Sequence, residues 1–278
     1  MSGDRDREQS PIRITVDVTN PGQFLACCGL LELADRLWPG AEGWFEGGVF
    51  RVAGQGSLHD LLAVVVTHPP EAIATLDNGL SVKPLIAPLR FSFDGGATQS
   101  MTIDAWMQIR SEKGQAVATG NPPWNFWSGQ QTSIGIWLGL RTALAEQMQS
   151  LQFDQFESLY DQRILLSGRF GFDPGAAWNA LDVGFSPNEQ GMKVASSAAV
   201  ELLAAVGIQR FHPEMADDRQ SFDYFTWGSP LSPMVAAAAV AGAISVPPLR
   251  HLRCRVVSRG SYAALERSSL VRKGADCE

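Results

Sequence analysis

The segment from Asn20 to Gly40, NPGQFLACCGLLELADRLWPG, constrains the fold more than any other part of the chain. Asn20 carries the short side-chain acceptor that a helix N-cap needs. Pro21 suits the first helical position, where a missing N–H costs nothing. Gln23 stands three residues after the cap, as in a variant capping box. Leu30, Leu31, Leu33 and Leu37 lay down an apolar stripe, Gly29 permits close packing, and Pro39-Gly40 stops the helix. The preceding Ile12 to Val18, IRITVDV, alternates apolar and polar residues, the period of a half-buried strand. A strand, a turn and a buried first helix therefore open the fold.

The rest of the 278 residues must cover that helix. Residues 1–10 read as a disordered lead. Residues 11–278 read as one mixed α+β domain with an antiparallel sheet flanked by several helices, and 110–121 as the internal linker candidate. Glu42 to Ala53 reads as a hairpin broken at Gly47-Gly48, and Ser57 to Val66 as a helix capped by Ser57. Leu85 to Phe93 and Met101 to Ile109 read as paired strands. Arg110 to Pro123 reads as a polar loop, Thr132 to Phe156 as a long helix, and Leu165 to Gly171 as a strand. Asp173 to Met192 is loop-like, and Ala195 to Val206 is an Ala-rich helix. Met234 to Ile244 is an apolar helix or buried strand. Leu252 to Val257, LRCRVV, suits an edge strand facing something acidic.

Charge narrows the function. The chain carries 18% charged residues, against about a quarter in typical domains, and eight Trp. That balance fits either surface covered in an assembly or a large core. The net charge of −7 argues against coating nucleic acid with the whole surface. Yet Arg250, Arg253, Arg255, Arg259, Arg267, Arg272 and Lys273 face only Glu266 between 250 and 273. That stretch is net +6, which leaves −13 for the remainder. Such asymmetry points to a local site for an anionic partner, or to a solvated face with counter-charges nearby.

No Walker A, dinucleotide, HExxH or GxSxG signature is present. The four Cys form no CxxC pair and fit no zinc template, so they read as free thiols of a cytoplasmic protein. The polar start MSGDRDREQS does not read as a signal peptide. The Met234 to Val246 run is too short to span a bilayer. Neither a cofactor nor a metal is expected. His212, Glu214, Asp217 and Asp218 have ligand chemistry, but their spacing matches no established site. Trp124 and Trp127, beside Phe126, suit base stacking, partner anchoring or plain core packing. Arg163, Arg169, Lys193 and Arg210, with Arg250, Arg253, Arg255 and Arg259, are the candidate phosphate contacts. The loop WNALDVGFSPNEQG could hold a phosphate backbone or be a packed Ω-loop.

Three segments, NPGQFLACCGLLELADRLWPG (20–40), PWNFWSGQQTS (123–133) and GRFGFDPGAAWNALDVGFSPNEQG (168–191), resemble the third Csb-series protein of type I-G (formerly I-U) CRISPR–Cas systems. The resemblance runs from about Ile12 to Tyr262. It implies a cytoplasmic, non-catalytic subunit or accessory protein of a Cascade effector complex in antiviral defence. Its partners would be guide RNA, target DNA or neighbouring subunits, with no membrane. It also implies a divergent RNA-binding ferredoxin-like core, and it supplies no catalytic residues. The alternatives are a protein-only adaptor for the helicase-nuclease, and a metal-independent ribonuclease processing CRISPR RNA with His212 or His251 as base.

Overall fold

A computed structural model describes residues 12–93, 99–120, 124–127, 130–174, 194–218, 220–259 and 262–271. The chain opens with β1 (Ile12–Thr15) and α1 (Pro21–Leu37). The Asn20 side chain accepts from the N–H groups of Gly22 and Gln23, so the cap forms as the sequence requires. Gln23 departs from the capping box: its Oε1 takes the N–H of Asp17, not that of the cap residue. The hairpin β2 (Glu42–Glu46) and β3 (Val49–Ala53) follows, with β3 pairing antiparallel to β1 on its other side. Helix α2 (Leu58–Thr67) has a complete capping box between Ser57 and Asp60.

This opening, β1–α1–β2–β3–α2 with sheet order β1-β3-β2, contains a split β-α-β unit. A ferredoxin-like core would place a fourth strand beside β1. Among the described residues β1 has β3 as its one strand partner, and the next strand, β4 (Glu71–Ala72), pairs with β5 instead. The 3₁₀ segment Phe153–Asp161 packs beside β1. The ferredoxin-like part of the expectation is therefore not established. The architecture is α+β, as expected, with its strands in several small antiparallel sheets.

Strands β4, β5 (Leu89–Ser92) and β6 (Ser100–Ile103) form the second sheet. The expected polar loop from Arg110 is instead a hairpin, β7 (Gln108–Glu112) and β8 (Gln115–Thr119). Its turn puts Lys113 at φ 50° and Gly114 at φ 79°, the left-handed pair that two-residue hairpins need. The linker candidate is thus largely a β-ribbon. Helix α3 (Ser133–Ser150) starts on Thr132 as its N-cap and ends before the 3₁₀ segment, six residues short of Phe156. Strand β9 (Ile164–Leu166) pairs with β10 (Val194–Ser196), which leads into α4 (Ala198–Gly207).

The core is the crossing of α1 and α4. Pro21 to Ala34 and every residue of α4 are buried. The two backbones touch: a Cβ on Gly29 would lie 1.9 Å from the Leu203 carbonyl oxygen, and one on Gly207 would lie 2.2 Å from that of Leu25. Only glycine fits either position. The last sheet runs β11 (Glu214–Met215), β12 (Ser221–Phe225), β13 (His251–Arg259) and β14 (Tyr262–Leu265), with β15 (Ser269–Leu270) also on β13. The expected edge strand at 252–257 is therefore central, paired on both sides. Helix α5 (Pro233–Val240) resolves the helix-or-strand alternative at Met234 in favour of helix. No described helix is long and apolar enough to cross a membrane.

Candidate interaction surface

The three segments that carry the resemblance meet at one place. Asn20, already the cap of α1, donates from Nδ2 to Asp173 Oδ1 at 3.0 Å. Gly22 lies under the Phe172 carbonyl, where a Cβ would come within 2.5 Å. Phe126 packs edge-on to Phe172, with ring centroids 6.0 Å apart, and Gln131 donates to the Ser167 carbonyl at 2.8 Å. The N–H groups of Gly171, Phe172 and Asp173 all point at the fully buried Glu201 of α4, at 2.8, 3.3 and 3.0 Å. Ser196 donates toward both Asp173 and Glu201.

Two buried carboxylates need compensation at this junction. Burial pushes Glu201 above the usual carboxylate range, while Arg169 and the backbone donors pull the other way. Arg163 stands 3.9 Å from Asp173, and Arg169 reaches the Asp173 carbonyl at 3.5 Å. These two candidate phosphate contacts are thus placed around an internal acid pair. Residues 175–193, with Lys193, lie outside the described residues.

Of the aromatic candidates, Trp124 is 8% exposed, with its ring 4.6 Å from Phe222. Together with Phe24, Tyr224 and Cys254 it lines a small apolar cavity. Trp127 is half-buried, donates to the Leu85 carbonyl, and meets Trp106 and Phe170 edge-on. Both indoles are packed into the body in this arrangement, so a stacked base would have to displace protein side chains.

The outer face of β12 and β13 is where cations collect. Alternation sends Leu252 and Cys254 inward and His251, Arg253 and Arg255 outward. The register sets Asp223 opposite Arg253, Phe225 opposite His251 and Ser221 opposite Arg255. Arg253 grips Asp223 with two bonds of 2.7 Å, and His251 Nε2 lies 3.0 Å from the same carboxylate. The Arg253 bonds are the main reason the Asp223 carboxyl sits below its usual range, and Asp223 in turn raises the guanidinium. The His251 ring also stacks on Phe225 at 4.2 Å. Arg253 is therefore a neutralised cation.

The same holds elsewhere. Arg210 pairs with buried Glu32, which Arg36 also holds. Burial alone would raise the Glu32 carboxyl, but the bonds from Arg210 and Arg36 outweigh it and the net shift is downward. Arg267 pairs with Asp17. Arg250 and Arg255 are exposed and have no ion pair among the described residues. Arg259 lies on β13, but its side chain lies outside the description. The eight candidates whose side chains are described therefore do not form one surface. They divide into an internal junction, an α1 clamp, two packed indoles and a sheet face with two uncommitted arginines.

Asp223 was the residue that sequence reasoning missed. Its only signal was the S-F-D-Y-F alternation, which places an acid on one face without saying which cation stands across. Asp218 is a turn residue, accepting from the N–H groups of Gln220 and Ser221 and from the Ser221 hydroxyl. Among the described residues no group of three or more His, Cys, Asp or Glu is placed to hold a metal. Cys27 and Cys28 are fully buried with thiols raised well above their usual range by burial, and burial pushes Cys254 up to about 12. Such thiols are poor nucleophiles at neutral pH. No family model, no curated protein and no solved structure matches the chain.

Proposed function

We propose that the chain is a non-catalytic subunit or accessory protein of a type I-G CRISPR effector complex in antiviral defence, acting in the cytoplasm by binding guide RNA or target DNA and by holding neighbouring subunits. The observation that carries this reading is the pair Arg250 and Arg255. They stay solvent-facing in a region where Arg253 and Arg267 are each matched by a carboxylate. Cations left unmatched beside matched ones are available to phosphates, and their binding is salt-dependent. The likeness of the 20–40, 123–133 and 168–191 segments to the Csb-series protein supplies the setting.

Co-expression with the other effector subunits and a guide, followed by affinity purification with and without nuclease, tests it. The chain should co-elute with the complex. Elution alone in both cases, with no affinity for guide RNA or target DNA at low salt, would overturn the reading. Retention that is indifferent to nuclease, and that follows the helicase-nuclease, marks the protein-only adaptor instead.

A second reading rests on one contact. A carboxylate beside a histidine can orient a general base, and Asp223 Oδ2 stands 3.0 Å from His251 Nε2. It supports a metal-independent ribonuclease. Cleavage of repeat RNA that His251→Ala abolishes would favour it; cleavage absent, or unchanged by His251→Ala and by His212→Ala, removes it.

A further inference from the structure

From Tyr224 to Leu249, twenty-six residues pass without a charge. A buried segment would account for that, but this one lies largely at the surface. Among the described residues eight large hydrophobic side chains are exposed, and three of them, Met234 (75%), Val235 (41%) and Ile244 (37%), lie here. The rest of the exposed stripe is small. Half-buried Ala238 and Ala241 follow Met234 at helical spacing, and Gly242 to Ser245 are exposed in the turn beyond. A contiguous apolar stripe of this kind marks an interface, where scattered apolar residues would not. Its lack of charge excludes nucleic acid as the occupant, because phosphate contact needs cations.

The borders of the stripe indicate the occupant. At the N-terminal end of α5, Leu231 and Gly43 exchange backbone bonds of 2.9 and 3.1 Å, which brings the exposed Glu42 beside that end. At the C-terminal end, Gly242 rests against the Phe225 ring, Phe225 stacks on His251, and the exposed Arg250 is the next residue. Neither Glu42 nor Arg250 has an ion pair among the described residues. The stripe thus carries an acid at one end and a base at the other. A two-fold axis across its middle brings each acid opposite a base, so the surface is self-complementary. Alanines along the helix allow two backbones to approach closely.

We infer that the exposed face of α5 packs antiparallel against the same face of a second copy of this chain, with Glu42 of each copy meeting Arg250 of the other. The inference does not rest on the functional reading above, but the two share Arg250: in the dimer that cation faces Glu42 of the other copy, so it is open to phosphate only in the monomer.

Sedimentation of the full chain from about 1 to 200 μM tests it. A reversible monomer–dimer equilibrium is the expected result. Met234→Asp should leave only monomer, with unchanged circular dichroism and the melting temperature of dilute, monomeric wild type. Glu42→Arg and Arg250→Glu should each weaken the dimer about tenfold, and the two combined should restore it to within about threefold of wild type. If Met234→Asp misfolds, Val235→Ser and the charge-swap pair decide the matter. Monomer at every concentration, a dimer indifferent to Met234→Asp, or a swap that fails to restore association overturns the proposal. So does a monomeric wild type that loses capture of a co-expressed effector subunit when Met234 is changed, because the occupant is then a foreign protein.

Discussion

Helices α4 and α5 are written in nearly the same alphabet, AAVELLAAVG against PMVAAAAV. All ten residues of α4 are buried, and its one polar residue, Glu201, is wrapped by three backbone N–H groups. Helix α5 buries only Pro233, Ala236, Ala239 and Val240, and leaves Met234 largely in water. Composition therefore does not decide burial here. What decides it is the partner: α4 has α1, entered glycine to glycine, while among the described residues nothing covers the outer face of α5. Apolarity inside α4 is a folding device, and apolarity on α5 is a contact device.

The comparison breaks first at the crossing. Gly29→Val drives a side chain into the Leu203 carbonyl, where a Cβ alone has 1.9 Å. The α1 and α4 backbones must separate, at a cost of more than about 3 kcal/mol, and chemical denaturation should show a protein at the edge of folding. Next comes Leu203→Ala on α4, a fully buried truncation expected to cost about 3 kcal/mol by the same measurement.

Arg210→Ala is smaller and has a pH signature. It removes one of the two cations on buried Glu32 and should cost about 2 kcal/mol near neutral pH, discounted because the arginine is partly exposed. The folded Glu32 carboxyl is held below its ordinary range. Its contribution is therefore present above the ordinary glutamate pKa and lost as pH falls through the lowered folded value. Melting curves should show the wild type and variant converging below about pH 4. The smallest effect is on α5: at concentrations where the chain is monomer, Met234→Ser should change stability by no more than about 0.5 kcal/mol, because the side chain is then 75% exposed. A large loss there would erase the distinction between the two helices.

Much of this frame was legible in the chain. Asn20 and Pro21, Ser57, and Thr132 announce helix starts through neighbours within four residues, and local chemistry is what sequence shows directly. The Gly47-Gly48 hairpin was legible for the same reason. The hairpin at 108–119 was not, although Lys113-Gly114 is a residue pair suited to a tight turn. Its polar, exposed strands carry no core face to give a period away. The central place of β13 was also hidden, because a strand's neighbours are set by residues far along the chain: Asp223 stands opposite Arg253 only through a register that no local rule fixes. The seven cations between 250 and 273 read either as a local site for an anionic partner or as a face with counter-charges nearby. The fold matches Arg253 and Arg267 with carboxylates and leaves Arg250 and Arg255 facing solvent.

That separation is the central claim, and the salt dependence of guide RNA binding tests it most directly. Affinity should be measured across a salt series for wild type, for Arg250→Ala/Arg255→Ala, and for Arg253→Ala as the matched control. Each single-strand phosphate contact contributes a slope of about 0.7 in the logarithmic plot, so the double variant should flatten it by about 1.4. Arg253→Ala should leave it nearly unchanged, since that charge already belongs to Asp223. An unaltered slope in the double variant, or an equal loss in Arg253→Ala, would contradict the account.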